Sequence, residues 1–586
     1  MAAPSSTSPL VQVNVGNVKH KPKVVALYER LLTEDSQQPG YWVEFFLLPV
    51  ARNELLAKLR ELSNEELISK APTLQTLMAA AVTNLQSDDV FLQSNTLEIM
   101  QVVFRVLLFD KKLSSRDVIT ALAGLDRIDH MMDQLTDSLL MLLPGQLSHK
   151  TVLFLSIVAA ASTGTSLASY FGYKNFFTPL IMFIDARPTG SPEQVDAFLA
   201  IGILANLNKF NDSVDVYLQR INDFVDQDIM SKLITATKGP LDNCRYDYVY
   251  SLTAKPSWLG WFGQPAAPAK PLADLPQSPE IAILMPLYEF AVHNDVFAVK
   301  LVTMTSEFRV LIELSSHLVQ NQTNVRTPIY ARLVLLMFRK FVESSTVFAQ
   351  LVNPENKTEY EISQQRAPPL ERDATPRLPL AGILDIIQCS LRFNVRKTMD
   401  NSLYTLIFYV LLQAFAALRQ ASLVLPYNWP QLWQTLLLLL KHLNKSESAV
   451  GIEVASMASL AVAHCLIERD LFPAEQYADL FYNVVNHAEI FQTLASKYAL
   501  AKTASLAAIH AMVAHYELLS QQNPDLTEQN ISDVVKQGQH AAAMYDKQRP
   551  KSLLTRENLP RFSEVNEQRF LKRVTRVAFV DAISFT

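Results

Sequence analysis

Two short segments carry the residue types that could engage a partner. Trp258, Leu259, Trp261 and Phe262 stand between Lys255 and Lys270, in a stretch at 251–280 whose prolines and glycines keep it from forming a core helix. Four large apolar side chains near lysines suit a bilayer interface, where an indole ring is buried while its N–H stays wet. Each inserted side chain would contribute about 1.5–3 kcal/mol. The competing reading folds this loop back over a groove of the protein. The second segment, RFLKRVTRVAFVDAISFT from Arg569 to Thr586, reads as a basic amphipathic helix, with Phe570, Val574, Val577 and Ala578 on one face. Arg569, Lys572, Arg573 and Arg576 lie around the other face, and each is worth on the order of 1 kcal/mol near an anionic leaflet. Its competing reading is a terminal helix docked on the last helical hairpin, with its charges in water.

Catalytic signatures are missing from the sequence. It contains no His-Glu-x-x-His, no Gly-x-Ser-x-Gly, no EF-hand loop and no Walker lysine. No two of its 14 glycines stand in the Gly-x-Gly spacing of a phosphate-cradling loop. His510 and His515 fall on different sides of a helix. The acidic pairs Asp212/Asp215 and Asp226/Asp228 have no ligand set around them and read as solvated faces. No catalytic residue, metal ligand or cofactor is expected, and the chain reads as a non-enzyme. A formal charge of -5, from 52 basic and 57 acidic residues, argues against nucleic acid as the principal partner. Three scattered cysteines, Cys244, Cys389 and Cys465, suggest buried thiols in a reducing compartment.

These segments must be positioned by helices. With 14 glycines in 586 residues, against a usual ~7%, hairpin turns are scarce. From Tyr41 onward apolar residues recur three and four apart, as in Leu97, Met100, Val103, Phe104, Leu107 and Leu108. Ser63/Glu66 and Ser114/Asp117 have capping-box spacing. The hydrophobic fraction of 49% and charged fraction of 19% require helices covered on more than one side. The run at 402–418 falls short of the ~20 apolar residues that span a bilayer and reads as a buried core helix. The fold class is all-α, an α-solenoid of stacked helical hairpins in the manner of armadillo or HEAT arrays. Residues 1–22 are expected to be a disordered tail without a secretory leader. A helical block at 23–350, a flexible loop at 351–380 and a second helical block at 381–586 should follow.

Several segments in collinear order resemble one known family. They are KVVALYERLLTEDSQQPGYWVEFFLLPV at 23–50, with Tyr28, Thr33, Glu34, Asp35 and Trp42; ILANLNKFNDSVDVYLQRI at 203–221, with Asn208 and Lys209; and LMPLYEFAVHNDVF at 284–297, with Tyr288, Glu289 and Asn294. LPLAGILDIIQCSLRFN at 378–394 and YNWPQLWQTLLLLLKHL at 427–443, with Trp429, Leu432 and Trp433, continue the order. Together they are similar to the armadillo-like helical domain-containing protein 3 family. The resemblance implies a cytosolic helical adaptor peripherally associated with Golgi membranes. It also implies phosphatidylinositol 4-kinase beta as a partner and support for recruiting the large Golgi Arf exchange factor, hence roles in Golgi maintenance and secretion. Two departures accompany it: the long Ser/Thr/Pro-rich insert of family members is much reduced, and the Trp258–Phe262 loop replaces a different apolar segment. A soluble cargo or peptide receptor without membrane contact is the alternative that the helical pattern fits equally.

Overall fold

A computed structural model of the chain describes residues 22–31, 40–210, 215–253, 279–320, 326–363, 375–394, 400–445, 451–500, 503–522 and 553–585. The Trp258, Leu259, Trp261, Phe262 loop and residues 1–21 lie outside these. The regular structure of the described residues is helical, and the only strand-like pairing among them is an isolated bridge between Thr358 and Arg377. The chain divides into two compact units, Met1–Tyr170 and Phe171–Thr586.

In the first unit the principal helices are α1 (Arg52–Glu61), α2 (Ala71–Leu85), α3 (Val90–Phe104), α4 (Ile128–Leu142) and α5 (Ser148–Ala161). Helices α1, α3 and α5 pack side by side as one row, and α2 and α4 as a second. Leu97, Met100, Val103 and Phe104 of α3 are buried as their spacing predicts, but Ile99, Gln101 and Val102 are buried too, so the second half of the helix is covered all round. Leu107 and Leu108 continue it into a π-helical turn at Arg105–Asp110 and are also buried. Between α1 and α2, Ser63 and Glu66 close a capping box: the Ser63 hydroxyl accepts from the Glu66 N–H at 3.2 Å and the Glu66 carboxylate from the Ser63 N–H at 2.7 Å. Ser114 likewise caps the helix Ser115–Leu122.

The second unit repeats the plan at greater length. Its helices are α6 (Pro192–Leu207), α7 (Gln227–Thr253), α8 (Leu284–His293), α9 (Thr305–Gln320), α10 (Thr327–Glu343), α11 (Pro379–Phe393), α12 (Asn401–Ala421), α13 (Trp429–Lys445), α14 (Ile452–Ile467), α15 (Ala488–Lys497) and α16 (Ala504–Gln522). Each even-numbered helix packs on the next even-numbered one from α6 to α16, and each odd-numbered helix on the next from α7 to α15. This double row is the armadillo-like array that the apolar spacing predicts. Helix α12 is long and apolar enough to cross a membrane, but 78% of its apolar window is buried inside the array. Trp429 and Trp433 of α13 are fully buried against Phe472, and the Trp429 indole N–H donates to the Leu425 carbonyl at 3.1 Å. Cys244, Cys389 and Cys465 are buried and take part in no disulfide.

The stretch expected to separate two blocks, 351–380, instead lies inside the second unit. Thr358 and Arg377 exchange backbone hydrogen bonds, and the backbone N–H groups of Glu361 and Ser363 donate to the side chains of Glu313 and Ser316 on α9. Residues 364–374 lie outside the described set. Two of the acidic residues read as solvated have local work: Asp215 caps Val216–Asn222, and Asp226 accepts from the N–H groups of Asp228 and Ile229. Asp215 is half-buried, and that burial raises its carboxyl above the usual range.

Helices α6 and α8 touch through Gly202, where an added Cβ would meet Pro286 Cβ at 2.7 Å and Pro286 Cα at 3.0 Å. Because the obstacle includes backbone, it cannot swing aside. Gly202→Ala is expected to cost about 1–3 kcal/mol through overpacking, read as a lower melting temperature; an unchanged melt would contradict so close a helix contact.

Candidate functional site

The residues of α6 and α8 that face each other are mostly apolar, which makes their few charged groups conspicuous. Lys209 follows the end of α6, and Glu289 sits in the middle of the buried LMPLYEFAV run of α8. Their side chains are 3% and 2% exposed, and two such buried charges are tolerated only if they meet. The Lys209 ammonium lies 2.6 and 2.8 Å from the two Glu289 oxygens. It also lies 2.8 Å from Glu564, which arrives from the far end of the chain. Tyr288 donates its hydroxyl to Glu564 at 2.8 Å, His293 faces Glu564 at 3.0 Å and Glu289 at 3.4 Å, and the Asn206 amide donates to Glu289 at 3.0 Å.

The cluster therefore presents two acids to two bases. Burial works against the Lys209 ammonium, but Glu289 and Glu564 hold it above the ordinary lysine value. Burial likewise depresses His293, yet the same two acids push it up to about 9. Against the upward push of burial, Lys209 and His293 hold the Glu564 carboxyl well below the usual carboxylate range. Single ligand atoms of Glu289, His293 and Glu564 lie within 4.8 Å of one another, a spacing a metal ion would accept. The ammonium of Lys209 already lies between the two carboxylates, so the donor set has its cation built in and does not fit a divalent metal.

Glu564 opens the segment that leads into the terminal helix α17 (Gln568–Phe585). Helix α17 packs on α6, α8, α10 and the 3-10 turn Pro279–Ile283. Leu571, Val574, Ala578, Phe579, Ala582 and Ile583 are buried there, and the Thr575 hydroxyl donates to Asn206 at 3.1 Å. The far end is held by Asp581, fully buried, which meets Arg326 at 2.5 Å and accepts from the Tyr330 hydroxyl at 2.8 Å. Helix α10 holds the approach as well: Arg332 pairs with Glu567 at 2.8 Å and stacks on Phe570, while Arg339 donates to the Pro560 carbonyl at 2.8 Å. The Phe562 N–H donates to Glu343 at 2.8 Å.

This docking corrects two expectations for the terminal helix. It does not rest on the last hairpin, because the groups that neutralise its acids belong to α6, α8 and α10. Its buried face is also rotated from the expected one, centring on Leu571, Val574, Ala578 and Ala582 and leaving Phe570 and Val577 half-buried. Arg569, Lys572, Arg573 and Arg576 do share the outer face, and all four are exposed. Trp258, Leu259, Trp261 and Phe262, the other predicted contact residues, lie outside the described residues. Lys209, Tyr288, Glu289 and Asn294 were singled out among the residues that carry the family resemblance; His293 lies in the same quoted segment without being singled out, and Glu564 lies outside the quoted segments. A lone charge inside each apolar run, ILANLNKF and LMPLYEFAV, was the available signal that something must neutralise it.

The C-terminal domain of armadillo-like helical domain-containing protein 3, as a family model, matches residues 377–584. Similarity extends well beyond that domain. The human protein of that name is 20% identical over 657 residues, covering 95% of this chain and 93% of the relative, and the Xenopus laevis protein is 21% identical over 554 residues, covering 81% and 79%. A Schizosaccharomyces pombe protein described as a UPF0588 membrane protein is 23% identical over 550 residues, covering 88% and 90%. Residues 377–584 thus match that family's C-terminal domain, and the chain is similar to the armadillo-like helical domain-containing protein 3 proteins over most of its length. In this chain the matched C-terminal region is not a self-contained block: it ends in α17, which docks on helices that precede the region in sequence.

Two outcomes follow from the buried cluster. Lys209→Met leaves two buried acids without their main cation and is expected to cost about 3–5 kcal/mol, with residues 553–585 becoming accessible to protease. Adding Glu564→Gln should recover part of the loss, whereas a wild-type melt for Lys209→Met would mean the cluster is not closed. His293 is raised from 6.5 in the unfolded chain to about 9 in the fold. Its contribution to stability is therefore complete below about pH 6.5 and is lost as the pH climbs through about 9. Melting temperatures taken across that window should fall for the wild type and fall less steeply for His293→Gln.

Proposed function

We propose that this chain is a non-catalytic scaffold that works at the cytoplasmic face of the Golgi membrane. It would bind phosphatidylinositol 4-kinase beta and support recruitment of the large Golgi Arf exchange factor, and so serve Golgi maintenance and secretion. One observation carries the non-catalytic part. The buried group of ionisable side chains around Lys209 is neutralised by its own members and covered by α17, so it offers a substrate no free acid, base or nucleophile. Long rows of stacked helices supply extended surface for protein partners, which is the usual employment of such arrays. The partner identities rest on the family resemblance.

Peripheral membrane association draws support from the S. pombe relative's description as a membrane protein and from the exposed cations of α17. Helix α12 does not supply a spanning segment in this fold without leaving its neighbours α10 and α14. The test is a pull-down of purified phosphatidylinositol 4-kinase beta by the full chain, with and without Golgi-like liposomes. Direct capture is the expected result; no capture in either condition would overturn the kinase-scaffold reading and favour a soluble peptide or cargo receptor.

A further inference from the structure

We propose that the outer face of α17 binds an anionic lipid bilayer by charge alone, with the helix remaining docked on the protein and not inserting. The inference rests on the peripheral-membrane part of the proposed function and specifies its surface and its mode. A basic amphipathic helix ordinarily reaches a membrane by burying its apolar face at the headgroup boundary. Here that face is already committed, because Leu571, Val574, Phe579 and Ile583 are buried against the array. Insertion would expose the surface they cover and would also break the Glu564–Lys209 and Asp581–Arg326 pairs.

What the helix offers outward is charge. Arg569, Lys572, Arg573 and Arg576 stand at i, i+3, i+4 and i+7, so they form one stripe over roughly 10 Å of helix. All four are exposed, and none makes an ion pair or hydrogen bond among the described residues. The acids of the same segment are turned the other way: Glu564 meets Lys209, Glu567 meets Arg332 and Asp581 meets Arg326. Docking thus sorts the segment, consuming its negative groups inside and leaving its positive groups without counter-charges outside. The whole chain carries -5, so this local stripe of cations stands against an acidic background and would orient the molecule on an anionic surface.

The shape of the feature selects a bilayer over an acidic peptide. A stripe on the convex outer side of a helix offers no groove for an extended chain, but it can meet a plane of headgroups with all four cations. Three of the four are arginines, whose planar guanidinium fits phosphate oxygens two at a time. Exposed Val565 precedes the stripe by one turn and is the large apolar side chain of the segment left in solvent.

The test is sedimentation of the full chain with phosphatidylcholine vesicles and with vesicles doped with phosphatidylserine or a phosphatidylinositol phosphate. Binding is expected only to the doped vesicles and should weaken as salt is raised. Reversing all four charges (R569E, K572E, R573E, R576E) should lower that affinity by about 1,000-fold or more, with an unchanged melting temperature since the sites are exposed. Trp258→Ala with Trp261→Ala should leave it unchanged. Undiminished binding by the charge-reversed chain, or loss through the tryptophan substitutions instead, would overturn the inference while leaving membrane association standing. No wild-type binding to any vesicle would overturn both, and the membrane-free kinase pull-down would then judge the scaffold reading separately.

Discussion

The meeting of Lys209, Glu289 and Glu564 is the constraint on which the second unit depends. In stacked helical rows each helix touches mainly its neighbours, so a terminal segment has no intrinsic reason to return to residues 251 to 355 positions earlier. Apolar burial alone would let α17 slide, since an aliphatic face fits many aliphatic grooves. A buried ammonium cannot be satisfied approximately. It needs carboxylate oxygens at hydrogen-bonding distance, and Glu289 supplies only part of that demand. Glu564 completes it, and Asp581 repeats the arrangement with Arg326 and Tyr330 at the other end of the helix. Two polar pins seventeen residues apart fix both the translation and the rotation of α17.

The same contacts account for the unusual composition. Helices α6 and α8 are flanked by their rows and then covered by α17, so nearly every residue from Gln194 to Leu207 and from Leu284 to Val292 is buried. A helix covered on all sides cannot be amphipathic, and a chain with several of them has few charges and much aliphatic surface. Helix α12 belongs to this class, which explains why it satisfies a length-and-hydropathy criterion for membrane crossing while lying between α10 and α14.

Local features were readable from the residues themselves. The buried Leu97, Met100, Val103 and Phe104 of α3, the Ser63 capping box and the all-helical class follow from spacing within one or two turns, where backbone geometry leaves little freedom. The partition of the chain was not readable in the same way. Residues 351–380 look like a linker because they are proline-rich and polar, yet their described parts are pinned to α9 by Glu313 and Ser316, partners 48 and 47 residues away in sequence. The docking site of α17 was hidden for the same reason. Periodicity marks a face that must be buried, but nothing local says against what. The isolated charges in ILANLNKF and LMPLYEFAV held that information only jointly with Glu564, through the physical rule that a buried charge requires its opposite.

That rule also determines what remains on the outside. Ion pairing across the docked interface removes Glu564, Glu567 and Asp581 from the solvent-facing charge of the terminal segment, using cations contributed by the array. Folding therefore makes the outer side of α17 more basic than its sequence, taken alone, would be. A free amphipathic helix of this composition would exchange between solution and membrane at an entropic cost for ordering each time. Held on the array, it presents its cations already ordered, so even a shallow electrostatic contact adds to any protein contact made elsewhere on the same molecule. Two weak contacts on one body bind together far more tightly than either does alone, which is the property that a scaffold acting at a membrane surface requires.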